Sequence, residues 1–236
     1  MELRIVTYNV QHCLNYHGGE IDYDAVADTI KRMDPDVIGL NEIRGVGAGE
    51  GYDNQTARLA DRANYPYCYF ARAIDFADGP YGNAILSRYP IISAQTVLIP
   101  DPEVHAYKGY YETRCVLKAT LDVPGGLQVC VSHFGLNLDE KENAVRTALS
   151  LAEDSRFLLM GDFNATPEDP VLAPLKARLQ ETEAMLSGPR ETYPSDAPRA
   201  KIDYIFASPD VDILSAEVLP FETSDHRPLM THIRLG

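Results

Sequence analysis

Tryptophan is absent from the 236-residue chain and cysteine is scarce: Cys13, Cys68, Cys115 and Cys130 are the only four. None forms a CxxC pair or another metal-ligand spacing, which argues against a zinc site or a thiol redox motif. Cys115 in RCVLKATL and Cys130 in LQVCVSHF sit in strand-like apolar runs, where free cysteine behaves as a small hydrophobe. Positive charge is also short: 21 Lys and Arg face 35 Asp and Glu, a formal net charge of -14. Binding to duplex nucleic acid draws much of its affinity from phosphate neutralisation. A chain this acidic, with no Lys/Arg cluster, is poorly built to hold a long polyanion, although a local cationic site or a bound metal is enough for a small phosphate ester. The longest apolar runs are strand-sized and too short to cross a bilayer. MELRIVTYNV has no charged leader followed by an apolar stretch. The expectation is a protein of the reducing cytoplasm without a stable membrane anchor.

What is present is ordinary globular material, 45% hydrophobic and 24% charged. No linker, low-complexity run or sequence repeat divides it, so one domain over residues 1–236 is expected. Residues 3–8, LRIVTY, read as a strand ending at Asn9. Asp22 is placed to cap a helix over Tyr23–Met33, with Val26, Ile30 and Met33 on one face and Asp34-Pro35 as its stop. VIGLNEI, 37–43, reads as a buried strand, and a second helix is expected near 54–64. The texture then becomes β-rich: YCYFA, NAILS, IISAQTVLI, TRCVLKATLDV and LQVCVSHFGL, with DVPGG as a hairpin turn. A helix follows over 139–151, then the strand RFLLM, a short helix over 171–178, and three strands, KIDYIF, DILSAEVL and PLMTHIRL. Two β-rich stretches with attached helices predict an α/β architecture of two mixed sheets packed face to face with helices outside.

Polar residues recur at the strand ends: Asn9, Glu42, His133, Asp162, Asn164, Asp225 and His226. Catalytic groups are commonly mounted there. In LLMGDFNATPED, Asp162 and Asn164 are two apart, and on an extended chain they share a face. Taken alone, the segment favours the other reading, a strand closed by an Asx turn. Glu42 and Asp225, with the neutral oxygen of Asn9, are hard ligands suited to Mg²⁺; singly, Glu42 also reads as a cap or a solvent-facing acid. His226 in ETSDHRPL is a candidate acid or base. Asp203, an acid inside the apolar KIDYIF, needs a partner. His226 is available, with Lys201 or backbone amides as the alternative, and a contact ion pair is worth about 4 kcal/mol before desolvation. His133 reads as a core histidine or as a group at the site rim. Arg114 and Arg44 are phosphate contacts or structural ion pairs, Arg88 is chiefly structural, and Tyr107, Tyr110 and Tyr111 read better as sheet filler than as a pocket lining.

In order, TYNV, LNEI, GNAILSRYPI, VSHFGL, GDFNATPED, KIDYIF and SDHRPL resemble the endonuclease/exonuclease/phosphatase superfamily, from residue 7 to about 229. The resemblance implies a four-layer α/β/β/α sandwich and metal-dependent phosphoester hydrolysis, with Mg²⁺ as cofactor and Mn²⁺ as a substitute. It matches Glu42 to the principal metal-binding glutamate, with Asn9 beside the metal and Asp225 near it. Asp162 and Asn164 match the acid and amide that handle water and phosphate. His226 matches the catalytic histidine, Asp203 its carboxylate partner, and His133 a phosphate-contacting histidine. Asn41 departs from the pattern, standing where glutamine is commoner. The substrate expected is a small phosphodiester or phosphomonoester, of lipid-headgroup, inositol-phosphate or nucleotide type. A nuclease on short or single-stranded nucleic acid is the alternative enzyme, and a catalytically silent binding module is the alternative of another class.

Overall fold

The apolar runs found in the sequence become strands, and the central ones, such as residues 37–44, 127–132, 157–162 and 203–207, are covered on both sides while those at the sheet edges are partly exposed. The computed structural model describes residues 1–49 and 51–236. The first half runs β1 (Glu2–Asn9), α1 (Tyr23–Met33), β2 (Val37–Arg44), α2 (Gln55–Ala63), β3 (Tyr67–Phe76), β4 (Gly79–Ser87), β5 (Ile91–Leu98) and β6 (Cys115–Leu121). It continues with β7 (Leu127–Ser132), α3 (Leu138–Leu151), β8 (Phe157–Asp162), α4 (Ala173–Arg178), β9 (Gln180–Glu181), β10 (Asp203–Ala207), β11 (Asp212–Val218) and β12 (Leu229–Arg234). One sheet has the order β11-β12-β1-β2-β4-β3 and the other β5-β6-β7-β8-β10-β9. Both are mixed: β1 and β2 are parallel, as are β7 and β8, and the remaining pairs are antiparallel.

Alternation along β1 sets the layers. Leu3 and Ile5 face the core between the sheets, with Leu117, Val129, Met160 and Ile205. Val6 and Tyr8 face the other way, beneath Val26 and Ile30 of α1 and Leu59 of α2. A third cluster lies under α3 and α4, where Phe157, Leu159 and Phe206 meet Val145 and Leu175. The result is the four-layer α/β/β/α sandwich. Among the described residues no helix is long and apolar enough to cross a membrane.

The caps explain the helix limits. Asp22 accepts the Ala25 amide at 2.9 Å, Lys31 and Arg32 occupy the last turn of α1, and the left-handed Asp34 ends it. Local differences from the sequence expectation are few. The short helix expected over 171–178 is a 3-10 turn, Pro170–Leu172, followed by α4. β3 runs on to Phe76, and KIDYIF enters its sheet only at Asp203. Tyr107, Tyr110 and Tyr111 are not sheet filler: they lie in the connection between β5 and β6, with Tyr107 and Tyr110 exposed and the Tyr111 hydroxyl donating to Asp139.

Candidate active site

β8 carries Asp162 at its last position, 2% exposed, where polar side chains from both sheets meet. Gly161 makes this possible. Its φ is +145°, and a Cβ there would sit 1.8 Å from the Ser132 carbonyl oxygen, an approach only glycine tolerates. The Asp162 amide donates to Asn41 Oδ1 at 3.0 Å, and Asp162 Oδ1 accepts the Asn164 amide at 2.9 Å. An Asx turn therefore closes the strand, and Asn164 is left-handed with φ +48°. Of the two readings of this segment the Asx turn holds: the turn, not the pleat, brings the second side chain back. Its Nδ2 donates to the Phe134 carbonyl at 3.0 Å and lies 3.1 Å from His133 Nε2. Phe163 between them stacks on Phe134 at 4.1 Å and anchors the turn.

Asp203 lies directly opposite Asp162 on β10, an arrangement of like charges that requires compensation. His226 supplies it from the loop before β12. Its Nδ1 is 2.9 Å from Asp203 Oδ2 and its Nε2 is 3.6 Å from Asp162 Oδ2. Burial disfavours the charged imidazole, but the two carboxylates outweigh it and push His226 up to about 10. Burial, opposed by His226 and assisted by Asp203, pushes Asp162 up to about 7. Lys201, the other partner considered for Asp203, pairs instead with Glu181 at 2.6 Å.

The first sheet supplies the facing wall. Asn9 ends β1, and its Nδ2 donates to Glu42 Oε1 at 3.0 Å and to Asp162 Oδ2 at 3.1 Å. Its own oxygen accepts the Gln11 amide at 3.1 Å. Glu42 is not in regular strand geometry: φ is +61°, at a shift of register between β2 and β4. The bulge turns its carboxylate out toward Asn9. Gln11, His12 and Cys13 are all left-handed, with φ of 45°, 47° and 63°. For non-glycine residues this costs on the order of 1–2 kcal/mol each. The buried Gln55 holds the turn, donating to the His12 carbonyl at 2.8 Å and accepting the Arg44 amide at 2.9 Å. His12 Nδ1 is thereby set 4.0 Å from Glu42 Oε2. Burial, with Arg44 nearby, lowers His12 to about 4.

The remaining candidates separate. Arg114 donates to His133 Nδ1 at 2.9 Å and pairs with Glu112 at 2.9 Å. With Nδ1 accepting, the His133 hydrogen is on Nε2, 3.4 Å from Asp162 Oδ2. Burial and then Arg114 hold His133 well below the ordinary histidine value, so it is neutral. Arg44 lies away from this cluster, over the Tyr52 ring at 4.7 Å. Arg88 binds Asp34 and Asp36 and is structural. Asn41 reaches across the interface, donating to Asn83 Oδ1 at 2.8 Å and to the Ser132 carbonyl at 3.1 Å. Sequence reading passed over His12, Gln55, Glu112 and Tyr193, whose ring lies 4.9 Å from that of His226. The partners of His12, Gln55 and Tyr193 are remote in the chain, whereas Glu112 pairs with Arg114 only two residues on.

Asp162, Asp203 and His226 offer ligand atoms within 4.8 Å of one another, a group able to hold a metal. Both His226 nitrogens are, however, directed at the two carboxylates and Asp203 is fully buried. Glu42 and Asp225 form the more open pair. Burial raises Asp225, His226 opposes this, and the like charge of Glu42 raises it further. A cation between hard oxygen donors relieves that repulsion, so the residues fit Mg²⁺.

This fold and this set of strand-end residues define a known class. The chain belongs to the Endonuclease/Exonuclease/phosphatase family, whose model matches residues 6–226. Members of this family are phosphoesterases and nucleases. YbhP of Escherichia coli strain K12 is 26% identical over 254 residues, covering 98% of this chain and 96% of YbhP. The endonuclease/exonuclease/phosphatase of Beutenbergia cavernae DSM 12333 superposes with a TM-score of 0.85 at 25% identity, over 100% of this chain and 72% of that one. The Bacteroides thetaiotaomicron VPI-5482 mannosyl-6-phosphatase Bt3783 shares the fold, with a TM-score of 0.76 at 15% identity, over 99% of this chain and 100% of that one.

Proposed function

We propose that the protein is a Mg²⁺-dependent hydrolase of a small phosphodiester or phosphomonoester, with Mn²⁺ able to substitute. The observation that carries this reading is the surroundings of Asp162: Asn9, Asn164, His133 and His226 all converge on one buried carboxylate beside Glu42. Glu42 and Asp225 would hold the cation, with Asn9 orienting Glu42. A bound Mg²⁺ polarises the phosphate and stabilises the leaving oxygen.

Asp162 orients the attacking water and accepts its proton as the new O–P bond forms in line with the breaking one. Its raised affinity for a proton suits that task. His226, kept as an imidazolium by Asp203 at Nδ1, turns its Nε2 hydrogen, 3.6 Å from Asp162 and not bonded to it, to a phosphate oxygen. Asn164 and the Nε2 hydrogen of His133 serve the same developing charge. Arg114, tied to Glu112, orients His133. The net charge of -14 supports a small substrate rather than duplex nucleic acid. A neighbour of the same fold named as a mannosyl-6-phosphatase is consistent with this.

The test is hydrolysis of p-nitrophenyl phosphate, bis(p-nitrophenyl) phosphate and oligonucleotides with and without Mg²⁺. Turnover of the small esters is expected only with the metal, falling roughly 10²–10⁴-fold in His226→Ala and Asp162→Ala. Full activity in Asp162→Ala sinks the scheme, and a salt-sensitive preference for oligonucleotides moves the assignment to a nuclease.

A further inference from the structure

A cavity of about 570 Å³ opens beside Glu42, within the size range of small-molecule sites. His12 connects the two, lining the cavity while its Nδ1 lies 4.0 Å from Glu42. The left-handed turn at residues 11–13 aims that imidazole, and Gln55 clamps the turn to Arg44, another lining residue. Backbone strain held by a dedicated buried clamp is characteristic of functional positions.

The lining specifies the chemistry of an occupant. Arg44 offers several donors, its guanidinium lies over the Tyr52 ring, and its Nε has no hydrogen-bond partner among the described residues. Glu20 and Asp53 offer acceptors, and the Tyr23 hydroxyl lies 3.3 Å from Asp53. Among the described residues Leu14 and Ile21 are the only aliphatic side chains in the lining, too little apolar surface for an acyl chain. The ring of Tyr23 is taken up by the guanidinium groups of Arg58 and Arg62, and that of Tyr52 by Arg44, which disfavours stacking of a nucleobase. Paired donors and acceptors around a compact space suit a molecule carrying many hydroxyl groups.

We propose that this cavity binds the alcohol portion of the substrate and takes a polyhydroxylated alcohol, so that the ester cleaved is a sugar or polyol phosphate. This rests on the phosphoester hydrolase reading and names its substrate class. The comparison is kcat/KM for glucose 6-phosphate, mannose 6-phosphate and myo-inositol 1-phosphate against phenyl phosphate, a monoester without hydroxyls. The best polyol ester is expected to exceed phenyl phosphate. In Arg44→Gln and Tyr23→Phe the ratio of the two is expected to fall at least tenfold, mainly through KM, with thermal unfolding confirming the fold. A ratio within twofold of wild type in both variants overturns the subsite while leaving the hydrolase reading intact, as does a wild-type preference for phenyl phosphate. Calorimetric titration of the same polyol phosphates without Mg²⁺ separates the two failures. If the wild type hydrolyses no ester but binds one of them, and Arg44→Gln weakens binding at least tenfold, the hydrolase reading fails and the subsite stands. No binding, or equal binding by both proteins, overturns the subsite.

Discussion

A methyl group at Gly161 would meet the Ser132 carbonyl oxygen at 1.8 Å, in a backbone region that side chains rarely occupy. Gly161→Ala is therefore expected to destabilise the fold by about 3 kcal/mol or more and to displace Asp162. Urea unfolding and turnover of p-nitrophenyl phosphate check both effects, and a variant of wild-type stability would show that the strands part without cost. The partner of Asp203 could be read from sequence because a buried acid in an apolar strand must find a counter-charge, and His226 was the titratable candidate in a motif of its own. The turn at Asn164 was legible, because Asp-x-Asn after an apolar strand is a local Asx-turn signal, but the backbone at Glu42 was not. Glu42 is left-handed in a segment whose local pattern asks for extended chain, and the tertiary contacts that hold it lie outside any sequence window. The same holds for His12, which looks like an ordinary loop histidine until Gln55 is brought beside it.

Among the elements, the strand and helix boundaries were largely legible because caps, apolar periodicity and turn residues are local signals. The relation between the two sheets was not. Each contains a parallel pair joined by a helix, β1-α1-β2 in one and β7-α3-β8 in the other, with antiparallel strands on both sides of it. No sequence repeat announces this. The matching ends of the two pairs carry Asn9 and Glu42 on one side and His133 and Asp162 on the other. Asn41 links β2 to β7 and β8, and Asn83 extends the link by donating to the Cys115 carbonyl at 3.1 Å. This amide chain crosses the interface between the sheets, where water cannot replace it. Asn41→Ala leaves Asn83, the Asp162 amide and the Ser132 carbonyl short of partners, a cost of about 2–5 kcal/mol. Denaturant unfolding measures it, and a loss below 1 kcal/mol would mean that the neighbours re-pair.

The whole molecule has an alkaline limit set by its core. Burial pushes the Cys115 and Cys130 thiols up to about 12 from an ordinary 9.0, and raises Cys13 as well. Tyr8, Tyr65 and Tyr204 are raised by burial in the same way. Because the folded values lie above the unfolded ones, each thiol's contribution is complete below pH 9 and is lost as pH climbs from 9 toward 12. The slope is up to about 1.4 kcal/mol per pH unit for each group. Tm should fall steeply above pH 9 and less steeply in Cys130→Ala, whereas identical slopes would contradict this origin. A different consequence follows from the amide chain between the sheets. Asp162 and Glu42 belong to separate slabs, so the reaction centre acts as a gauge of how the slabs are registered. A small shear misaligns it while both slabs keep their hydrogen-bonded ladders. Turnover should therefore vanish at a lower urea concentration than the far-ultraviolet circular dichroism signal.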